Sequence, residues 1–581
     1  MAAAFDLRRT LRPPPGAAED SQDVSFRERL TGAVDAVRRG HAARPELLLI
    51  PQDLRTADPG FFAELAAGTM GLAGATVQID GTSPFRVTPP SKAWQAALLG
   101  FGWLSDLRAA NLGDAQALAL RTIDDWIGQA RPNDAADWTA GIAARRLMSW
   151  LANAGILVES GSPAAYDRFM MACELHMQRL PRLAAAAHGE QKLTAYIALL
   201  TGSLCMSDQE AALNLSLRGL EAELGRQILE CGGHISRQSG ILVELMLDLL
   251  PLKQCFVARD LVPPPRLLGV MRKITPMLRH MQMGDRRLAR FNGMPATSVD
   301  RLATALAYDA GTPDVADLSA SSRYFRLRRR GTIVLLDGGV PPPPDYARQA
   351  HAGALSFEMS SGDNLIFVNA GAPGPADESW RAQARGTPAH TALALNETAS
   401  SRLVRDGGKA PILVGPPTVE AKLVEPGDGA IEIQSLHDGY QEQFGMVHAR
   451  VLRLSAQGDR LSGIDRIYQP QRIAPAGRAD RSYAVHFHVH PQARVRYLPD
   501  AGAAEIDLRN GETWRFVSHG AKLAIEDSLF LATFTGPLRS VQIVLRGHAF
   551  EDTQVRWSLE RVPSYPGPSL ADGDGDLDAA S

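Results

Sequence analysis

The sequence predicts a protein of two unlike halves, an all-α domain followed by a large antiparallel β-sandwich. Three observations support this fold class. The chain has 581 residues, which is more than a single hydrophobic core normally serves. Apolar residues recur at spacings of three and four in the first half, and they alternate in short runs in the second half. The change between the two patterns falls near residue 320.

The helical half extends from about Trp94 to Leu306. Ala and Leu dominate it, β-branched residues are scarce, and Pro or Gly separates the segments. Runs such as WQAALLGFGWLSDLRAANL and DWTAGIAARRLMSWLANAGIL place apolar side chains on one helical face. Several helices of similar length with no strand signals between them favour a domain built from helical hairpins.

The second half begins at Tyr324 and consists of short alternating runs, among them YFRLRRRGTIVLLDGG and HARVLRLSAQGDRLSGIDRIY. Turn residues separate these runs, for example Ser361 to Asn364 and Gln457 to Asp459. Many such strands in succession predict a large antiparallel sandwich. The four prolines from Pro341 to Pro344 predict a surface loop.

The composition is that of an ordinary globular protein, with 45% hydrophobic and 22% charged residues. A formal net charge of -3 argues against a nucleic-acid-binding protein as a whole. The four cysteines, Cys173, Cys205, Cys231 and Cys255, are far apart and form no CxxC pair. We therefore expect buried thiols, and neither a disulfide framework nor a zinc ribbon.

The two ends of the chain differ from its middle. The N-terminal run MAAAFDLRRTLRPPPGAAED has no apolar stretch of signal-peptide length, which favours the cytoplasm, and no apolar run predicts a membrane span. Arg27 to Arg39 has the pattern of an amphipathic helix. The last residues, PSYPGPSLADGDGDLDAAS, form an acidic tail. We expect disorder there, because the spaced Asp572, Asp574 and Asp576 lack the closing glutamate of a calcium loop.

Three histidines alternate in the run HFHVHP, at positions 486, 488 and 490. In a strand, alternate side chains share one face, so His486, His488 and His490 would line one surface. Arg494 and Arg496 continue the same parity and would extend a positive stripe suited to an acidic ligand or, at the histidines, a metal ion. The alternatives are hydrogen-bonded, half-buried histidines, or a strand whose polar side faces solvent.

A second candidate is the run GGHISRQS, which lies just before a strong helix. Its paired glycines allow a tight turn and close approach of a ligand. His234, Arg237 and Gln238 would project from this loop, and Arg237 could bind a carboxylate through two parallel hydrogen bonds. The alternative is that the loop caps the helix and that Arg237 pairs with a local acidic residue.

Six segments, in this order and spacing, resemble the heparinase II/III family of polysaccharide lyases, and in particular the heparinase II/III-like proteins common in alphaproteobacteria. They are WTAGIAARRLMSWL, GGHISRQSGILVELMLDLL, MGDRRLARFNG, HAGALSFEMSSGDNLIFVNAGAPG, ARGTPAHTALALNETAS and HFHVHPQARV. The resemblance covers roughly residues 50 to 565. It implies an incomplete α/α toroid packed on a multi-sheet β-sandwich, with the substrate cleft between them. The domains are then expected at residues 1–80 (a lead-in segment), 81–318 (the toroid), 319–565 (the sandwich) and 566–581 (the tail).

The resemblance also implies a reaction, the β-elimination of a uronate-containing polysaccharide. Such a reaction needs a group that neutralises the uronate carboxylate, a base, and an acid for the leaving oxygen. We expect His234, Arg237, Gln238 and His390 to be catalytic, and His188, with the stripe residues His486, His488, His490 and Arg494, to bind substrate. The alternative for His188 is an exposed residue at a helix end. Two departures stand out. Ala187 occupies the place of the family's asparagine beside His188, and no tyrosine follows the His234 loop.

Some family members hold zinc with two histidines and an aspartate, a plausible zinc set. His351 and His390 match the two histidines, but Asn369 stands at the aspartate position. The family's catalytic histidine, two residues before the first ligand, falls on Gln349. Zinc at His351, Asn369 and His390 is therefore one expectation, and a hydrogen-bonded cluster at the domain interface is the other.

Two functions follow as hypotheses. The first is a carbon–oxygen lyase that cleaves an acidic, uronate-containing glycan. The second is a divergent relative that binds such a glycan, or a cell-envelope intermediate, without elimination. Family lyases meet their substrate in the periplasm or cell envelope, so the resemblance and the missing export signal point to different compartments. The oligomeric state stays open.

Overall fold

The computed structural model describes residues 45–129, 137–307, 317–374, 378–407, 409–470 and 481–563. The expected helix over Arg27 to Arg39 and the acidic tail lie outside these residues. Within the described ranges, no helix is both long and apolar enough to cross a lipid bilayer.

Helices make up the first half, and the longer ones belong to the toroid. The described helices are α1 (Phe61–Ala66), α2 (Lys92–Gly100), α3 (Leu104–Ala109), α4 (Gly113–Gln129), α5 (Ala140–Ala152), α6 (Gly155–Ser160), α7 (Pro163–Ala186), α8 (Gly189–Cys205), α9 (Glu210–Gln227), α10 (Gly240–Ala258), α11 (Pro265–Met281), α12 (Val299–Ala307), α13 (Ser319–Ser322), α14 (Arg381–Ala384) and α15 (Gln441–Phe444).

Strands make up the second half, apart from one small hairpin in the lead-in segment. The described strands are β1 (Thr69–Leu72), β2 (Ala75–Gln78), β3 (Tyr324–Arg329), β4 (Thr332–Asp337), β5 (Phe357–Ser361), β6 (Asn364–Phe367), β7 (Leu393–Leu395), β8 (Arg402–Asp406), β9 (Lys409–Val414), β10 (Val419–Val424), β11 (Ile431–His437), β12 (Val447–Leu454), β13 (Arg460–Tyr468), β14 (Ser482–His488), β15 (Arg494–Leu498), β16 (Ala503–Asp507), β17 (Thr513–His519), β18 (Lys522–Phe530), β19 (Leu538–His548) and β20 (Asp552–Arg561).

The centre of the toroid is α8, which packs against α5, α7, α9 and α10. Its residues from Leu193 to Cys205 are buried except for Tyr196, because apolar and small side chains surround the helix on every side. The four cysteines are free and buried, as the sequence predicted.

The segment WTAGIAARRLMSWL supplies part of this core and not a binding surface. Thr139 caps α5 by accepting a hydrogen bond from the backbone N–H of Ile142. Arg146 is fully buried, with its guanidinium 4.1 Å from the ring centre of Trp126, and its Nε donates to His176. This similarity to the family is therefore one of packing.

The second half contains one sheet of eight strands, two sheets of four and the two-stranded sheet of β8 and β9, all antiparallel where pairs are described. The eight-stranded sheet has the order β10-β11-β12-β13-β20-β17-β16-β15, one four-stranded sheet has the order β18-β19-β14-β7, and the other has the order β3-β4-β5-β6. The prediction of an all-α half followed by an antiparallel sandwich is confirmed.

The β3–β6 sheet is the layer that joins the two halves. Tyr324 and Leu335 belong to the core that it shares with the toroid helices. Leu327 and Val334 belong to the core of the sandwich. Since both faces of this sheet are covered, polar groups at its strand ends are enclosed between the domains, and the candidate site lies there.

A buried polar cluster stabilises the interior of the sandwich. Asp465 accepts hydrogen bonds from Arg450 Nε at 2.7 Å, from His448 Nε2 at 2.8 Å and from Trp557 Nε1 at 2.9 Å. The side chains of Arg450, His448 and Asp465 have no solvent exposure. A buried carboxylate is tolerated here because cationic and N–H groups surround it.

Candidate active site between the two domains

The GGHISRQS loop lies between α9 and α10, as a tight turn against α11. Gly232 has a φ of +83°, and a Cβ at this position would collide with the carbonyl oxygen of Lys273. Only glycine satisfies both conditions, so the paired-glycine prediction of a tight turn holds. Beyond the turn, residues 228 and 234 form an isolated antiparallel bridge that fixes the position of His234.

His234 is buried, and both of its ring nitrogens are occupied. Nδ1 accepts from the backbone N–H of Ser236, and Nε2 donates to the side-chain oxygen of Gln227 at 3.1 Å. Burial lowers the pKa of His234 to about 4. The imidazole is therefore neutral near pH 7, and neither nitrogen is free to carry a substrate proton in this arrangement.

Arg237 points away from solvent and into the domain junction. Its Nη2 donates to Asp337 Oδ1 at 2.5 Å, and its Nη1 donates to the carbonyl of Ser322. The guanidinium also lies 4.4 Å from the ring centre of Tyr324. Arg237 thus pairs with an acidic residue, but this residue is one hundred positions away and not local as the alternative expected, and no described side chain caps the start of α10. The role of Arg237 in binding a carboxylate stays a prediction.

Tyr324, Asn292 and Gln238 complete this half of the junction. The Tyr324 hydroxyl donates to the backbone carbonyl of Arg237 at 2.5 Å and accepts from Asn292 Nδ2 at 3.0 Å. Gln238 Nε2 donates to the carbonyl of Gly293 at 2.6 Å. Burial raises the pKa of Tyr324 further above its ordinary value of 10, so this tyrosine is a structural donor.

His351 and His390 meet on the sandwich side, with Nδ1 of His351 3.3 Å from Nε2 of His390. His390 Nδ1 must donate to the carbonyl of Gly386 at 2.9 Å, so its Nε2 accepts the hydrogen bond from His351. Burial lowers the pKa of His390 to about 4. Only Nε2 of His351 keeps a lone pair that this pairing does not use.

The residues at the predicted zinc site do not fit zinc. Asn369 Oδ1 accepts from the backbone N–H of Thr391 at 3.0 Å, and its Nδ2 donates to the carbonyl of Arg290. The site offers one histidine nitrogen without a hydrogen bond, and an amide whose oxygen and nitrogen are both hydrogen-bonded. A zinc site needs three protein ligands. Among the described residues, no group of three His, Cys, Asp or Glu side chains is arranged to hold a metal ion. The hydrogen-bonded cluster is what the structure contains.

The two halves of the junction meet at Gly293. Its carbonyl accepts from Gln238, and a Cβ on it would lie 3.3 Å from His351 Nε2. The structure thus brings His234, Arg237 and Gln238 into the same interface as His351, His390 and Asn369. The side chains are hydrogen-bonded within each half of the junction. His234, Arg237 and Gln238 also line a small pocket of about 20 Å³, and whether they act on a substrate stays a prediction.

The triple histidine does not form the positive stripe that alternation suggested. His486, His488 and His490 are only 6%, 5% and 7% exposed. His488 donates from Nε2 to the carbonyl of Pro388 and pairs through Nδ1 with the hydroxyl of Ser528, at 2.7 Å each. His486 Nδ1 pairs with Gln542 at 2.9 Å.

Arg494 and Arg496 lie on a different sheet from these histidines. Strand β14 ends at His488 in a four-stranded sheet, whereas β15, which begins at Arg494, is the edge of the eight-stranded sheet. The prediction of one continuous stripe is therefore wrong. Its physical reason is Pro491, which cannot donate to a ladder and stands where the chain crosses between sheets. The alternative of hydrogen-bonded, buried histidines describes them.

The exposed part of the interface contains a tyrosine that sequence reasoning missed. Tyr346 comes from the proline-rich loop, packs against Gly189, and has its ring centre 6.1 Å from that of His234. Burial and the charge of Glu223 raise its pKa. His188 is exposed at the start of α8, next to Gly189. No local pattern could have shown this proximity, because more than one hundred residues separate Tyr346 from His234.

Comparisons with known proteins agree with this architecture. Residues 311–558 match the family model described as "Heparinase II/III-like, C-terminal". A crystal structure of heparinase III is similar, with a TM-score of 0.69, 13% identity, and 96% of this chain and 93% of that chain covered. The heparan sulfate lyase HepC of Pedobacter heparinus, as a mutant, gives a TM-score of 0.60 at 14% identity over 94% and 90% of the two chains.

A curated relative is named for its localisation and not for a lyase activity. FtsZ-localized protein C of Caulobacter vibrioides is 28% identical over 545 residues, which cover 89% of this chain and 91% of that protein. The similarity therefore extends through both halves, the toroid as well as the sandwich.

Proposed function

We propose that this chain, a heparinase II/III-family protein, is a binding protein that localises with FtsZ and keeps a lyase scaffold without carrying out β-elimination. One observation carries the proposal. The groups that would have to neutralise a uronate and move its proton are each engaged by other groups of the protein at the domain junction. Arg237 is paired with Asp337, and His234 and His390 each have both nitrogens in hydrogen bonds.

Opening this junction for a substrate would be costly. To bind a uronate, Arg237 would have to leave Asp337, and the carboxylate left behind is only 8% exposed. Leaving a buried charge without its partner costs about 3–5 kcal/mol. A uronate that merely replaces Asp337 gains little in exchange. Ala187 and Asn369 stand where the resemblance implies an asparagine and an aspartate, and they support the same proposal.

The name of the relative supports the location and the partner that we propose. A similarity of 28% over nine-tenths of both chains supports a shared role with a protein named for its localisation with FtsZ. We accordingly place this chain in the compartment that holds FtsZ, and not in the periplasm that the lyase resemblance implied. An acidic glycan strand, or a cell-envelope intermediate, remains the proposed ligand of the surface beside His188 and Tyr346.

Two assays on the purified full chain test this proposal. The first incubates it with a panel of uronate-containing polysaccharides and follows the ultraviolet absorbance of unsaturated uronate, with heparinase III as positive control. The second asks whether it sediments with FtsZ filaments, with FtsZ lacking nucleotide as the unpolymerised control. We expect no absorbance change and filament-dependent sedimentation. Turnover on any polysaccharide, or sedimentation that ignores polymerisation, contradicts the proposal.

The position of Tyr346 favours one second candidate, a lyase with a displaced proton carrier. Its ring stands beside His234 and Gly189, where a tyrosine could deliver a proton to a leaving oxygen. If the first assay detects turnover, Tyr346→Phe should abolish it while leaving the fold intact. Tyr497→Phe, on an exposed tyrosine of β15, is the matched control. Equal turnover in both variants would exclude Tyr346 as the acid.

A further inference from the structure

A groove on the other side of the 290–297 segment is not part of the network above. It has a volume of about 230 Å³ and lies between the toroid and the sandwich. Its toroid wall is formed by Arg287 to Thr297, and its sandwich walls are formed by His490 to Gln492 and Phe530 to Leu538. A cavity of this size has room for several side chains of a bound segment.

Cationic side chains line the groove. Arg287 and Arg290 are among its lining residues, and no aspartate or glutamate is. Arg290 pairs with Glu358 at 3.1 Å and lies 3.9 Å from Asp285, and Arg287, which is about half exposed, lies 3.5 Å from Asp285. Burial and the nearby charges of Arg290, Arg287 and Arg509 lower the pKa of His490 to about 3. A ligand with several carboxylates would find favourable charge here.

The rim of the groove is apolar and exposed. Phe534 is 69% exposed and Leu538 is 43% exposed, although both are large hydrophobic residues. They lie beside Phe530, whose ring is 5.2 Å from that of His490, centre to centre. Apolar side chains placed next to a positive site fit a segment that carries both carboxylates and aliphatic or aromatic groups.

The described chain ends next to this region. The backbone N–H of Val562 donates to the carbonyl of Thr513 at 2.8 Å, and Arg561 is 3.4 Å from Glu512. Glu512 lies in the turn between β16 and β17, Thr513 is the first residue of β17, and the same turn contains Arg509. Residues 564–581 therefore start from the turn that contributes charge at His490.

The sequence of residues 564–581 matches the groove in chemistry and in reach. It has no Lys or Arg, and it contains Tyr565, Leu570 and Leu577 together with Asp572, Asp574, Asp576 and Asp578. The ten residues from Pro563 to Asp572 span about 30 Å when extended. As a flexible chain they have a root-mean-square length of about 17 Å.

We propose that this groove is a binding site for the acidic segment 564–581 of the same chain. The aspartates meet Arg287 and Arg509, and a leucine or the tyrosine covers Phe534 and Leu538. The segment then shields an apolar and positive surface that would otherwise stay open, and an acidic peptide of a partner would have to displace it. The inference does not depend on the proposed function.

Hydrogen–deuterium exchange on the full chain tests this occupancy. Replacing Asp572, Asp574, Asp576 and Asp578 by asparagine should make the amides of the 533–538 segment exchange about tenfold faster. Phe534→Ala and Arg287→Glu should have the same effect on the 564–581 amides. Combining a tail variant with a groove variant should add nothing, because one contact is lost in either case. Asp500→Asn, an exposed change elsewhere, is the matched control.

Three outcomes would overturn the inference. The first is exchange in the 533–538 segment that is equal in the wild type and the tail variant. The second is protection that rises with protein concentration, since it would make a second copy the occupant. The third is an acidic peptide that binds the wild-type groove as tightly as the groove of the tail variant, since a filled groove must bind it more weakly. Unchanged exchange in the core strands shows that each variant is folded.

Discussion

Arg237 and Asp337 form an ion pair that joins the toroid to the sandwich, with 2.5 Å between Nη2 and Oδ1. Their side chains are only 11% and 8% exposed. The second carboxylate oxygen of Asp337 accepts from Asn292 at 2.9 Å, so the toroid reaches the same carboxylate from two loops. The residue that a lyase would use to bind its substrate is here a structural connection between domains.

Arg237→Ala should therefore reduce stability whether or not the protein is an enzyme. It leaves Asp337 enclosed with two neutral donors, Asn292 Nδ2 and the backbone N–H of Gly339, at a cost of about 3 kcal/mol. Urea unfolding followed by tryptophan fluorescence measures the loss. Arg546→Ala is the control, since Arg546 and Glu526 form an exposed pair worth about 0–1 kcal/mol. If both variants unfold at the wild-type urea concentration, Arg237 is not part of a structural connection.

The fold could be predicted because its signal is local. Helical spacing in the first half and alternation in the second can each be recognised within a short stretch of sequence. In the structure, the change from helices to strands falls between Ser322 and Tyr324. The alternation rule also placed His486 and His488 on one face, where their rings lie parallel, 6.2 Å apart. It could not say that this face is covered.

The state of the site could not be predicted because its partners are distant in sequence. His488 is satisfied by the carbonyl of Pro388, and Arg237 by Asp337, each one hundred residues away. The local sequence around a histidine or arginine does not tell whether the side chain faces solvent or is buried against a partner that is distant in the chain. Only the tertiary structure distinguishes a reactive group from one already engaged.

The enclosed histidines predict acid sensitivity. Burial lowers the pKa of both His234 and His390 to about 4. The unfolded chain takes up their protons below about pH 6.5, whereas the folded chain does so only near pH 4. The free energy of unfolding is therefore highest, as far as these histidines determine it, above about pH 6.5. It declines as the pH falls towards 4, by up to about 3 kcal/mol for each histidine.

Urea unfolding at a series of pH values measures this decline. The variant His234→Gln with His390→Gln should show a shallower slope between pH 6.5 and 4 than the wild type. His519→Gln, at an exposed histidine, should keep the wild-type slope. Parallel curves for all three proteins would mean that the two imidazoles are not held neutral by the fold.

Zinc should not stabilise this protein through His351 and His390. Only one nitrogen of the pair is left unused, and Asn369 is committed through both of its polar atoms. The thermal midpoint of the wild type should be the same after dialysis against a chelator and after addition of zinc. A rise with zinc that His390→Ala removes would mean that these hydrogen bonds rearrange to bind the metal.

Asp465→Asn should destabilise the sandwich strongly, because Arg450 would then be a buried cation without a counter-charge. The expected loss is about 3–5 kcal/mol. Asp552→Asn, which breaks the exposed pair with Arg466, should cost about 0–1 kcal/mol. Urea unfolding at pH 7 compares the two variants. Equal losses would show that Arg450 is compensated by the carbonyls of Leu355 and Thr391 alone.

The Asp465 carboxylate also predicts that the difference in stability between wild type and Asp465→Asn depends on pH. Burial by itself would raise the pKa of Asp465, but Arg450 and His448 outweigh it and hold the pKa below the ordinary value of 3.8. Its contribution is therefore present above about pH 3.8 and is lost as the pH falls below that value. Wild type and Asp465→Asn should differ most above pH 4 and approach each other in more acidic solution. A difference in stability that stays constant down to pH 2 would assign the effect of the variant to packing and not to charge.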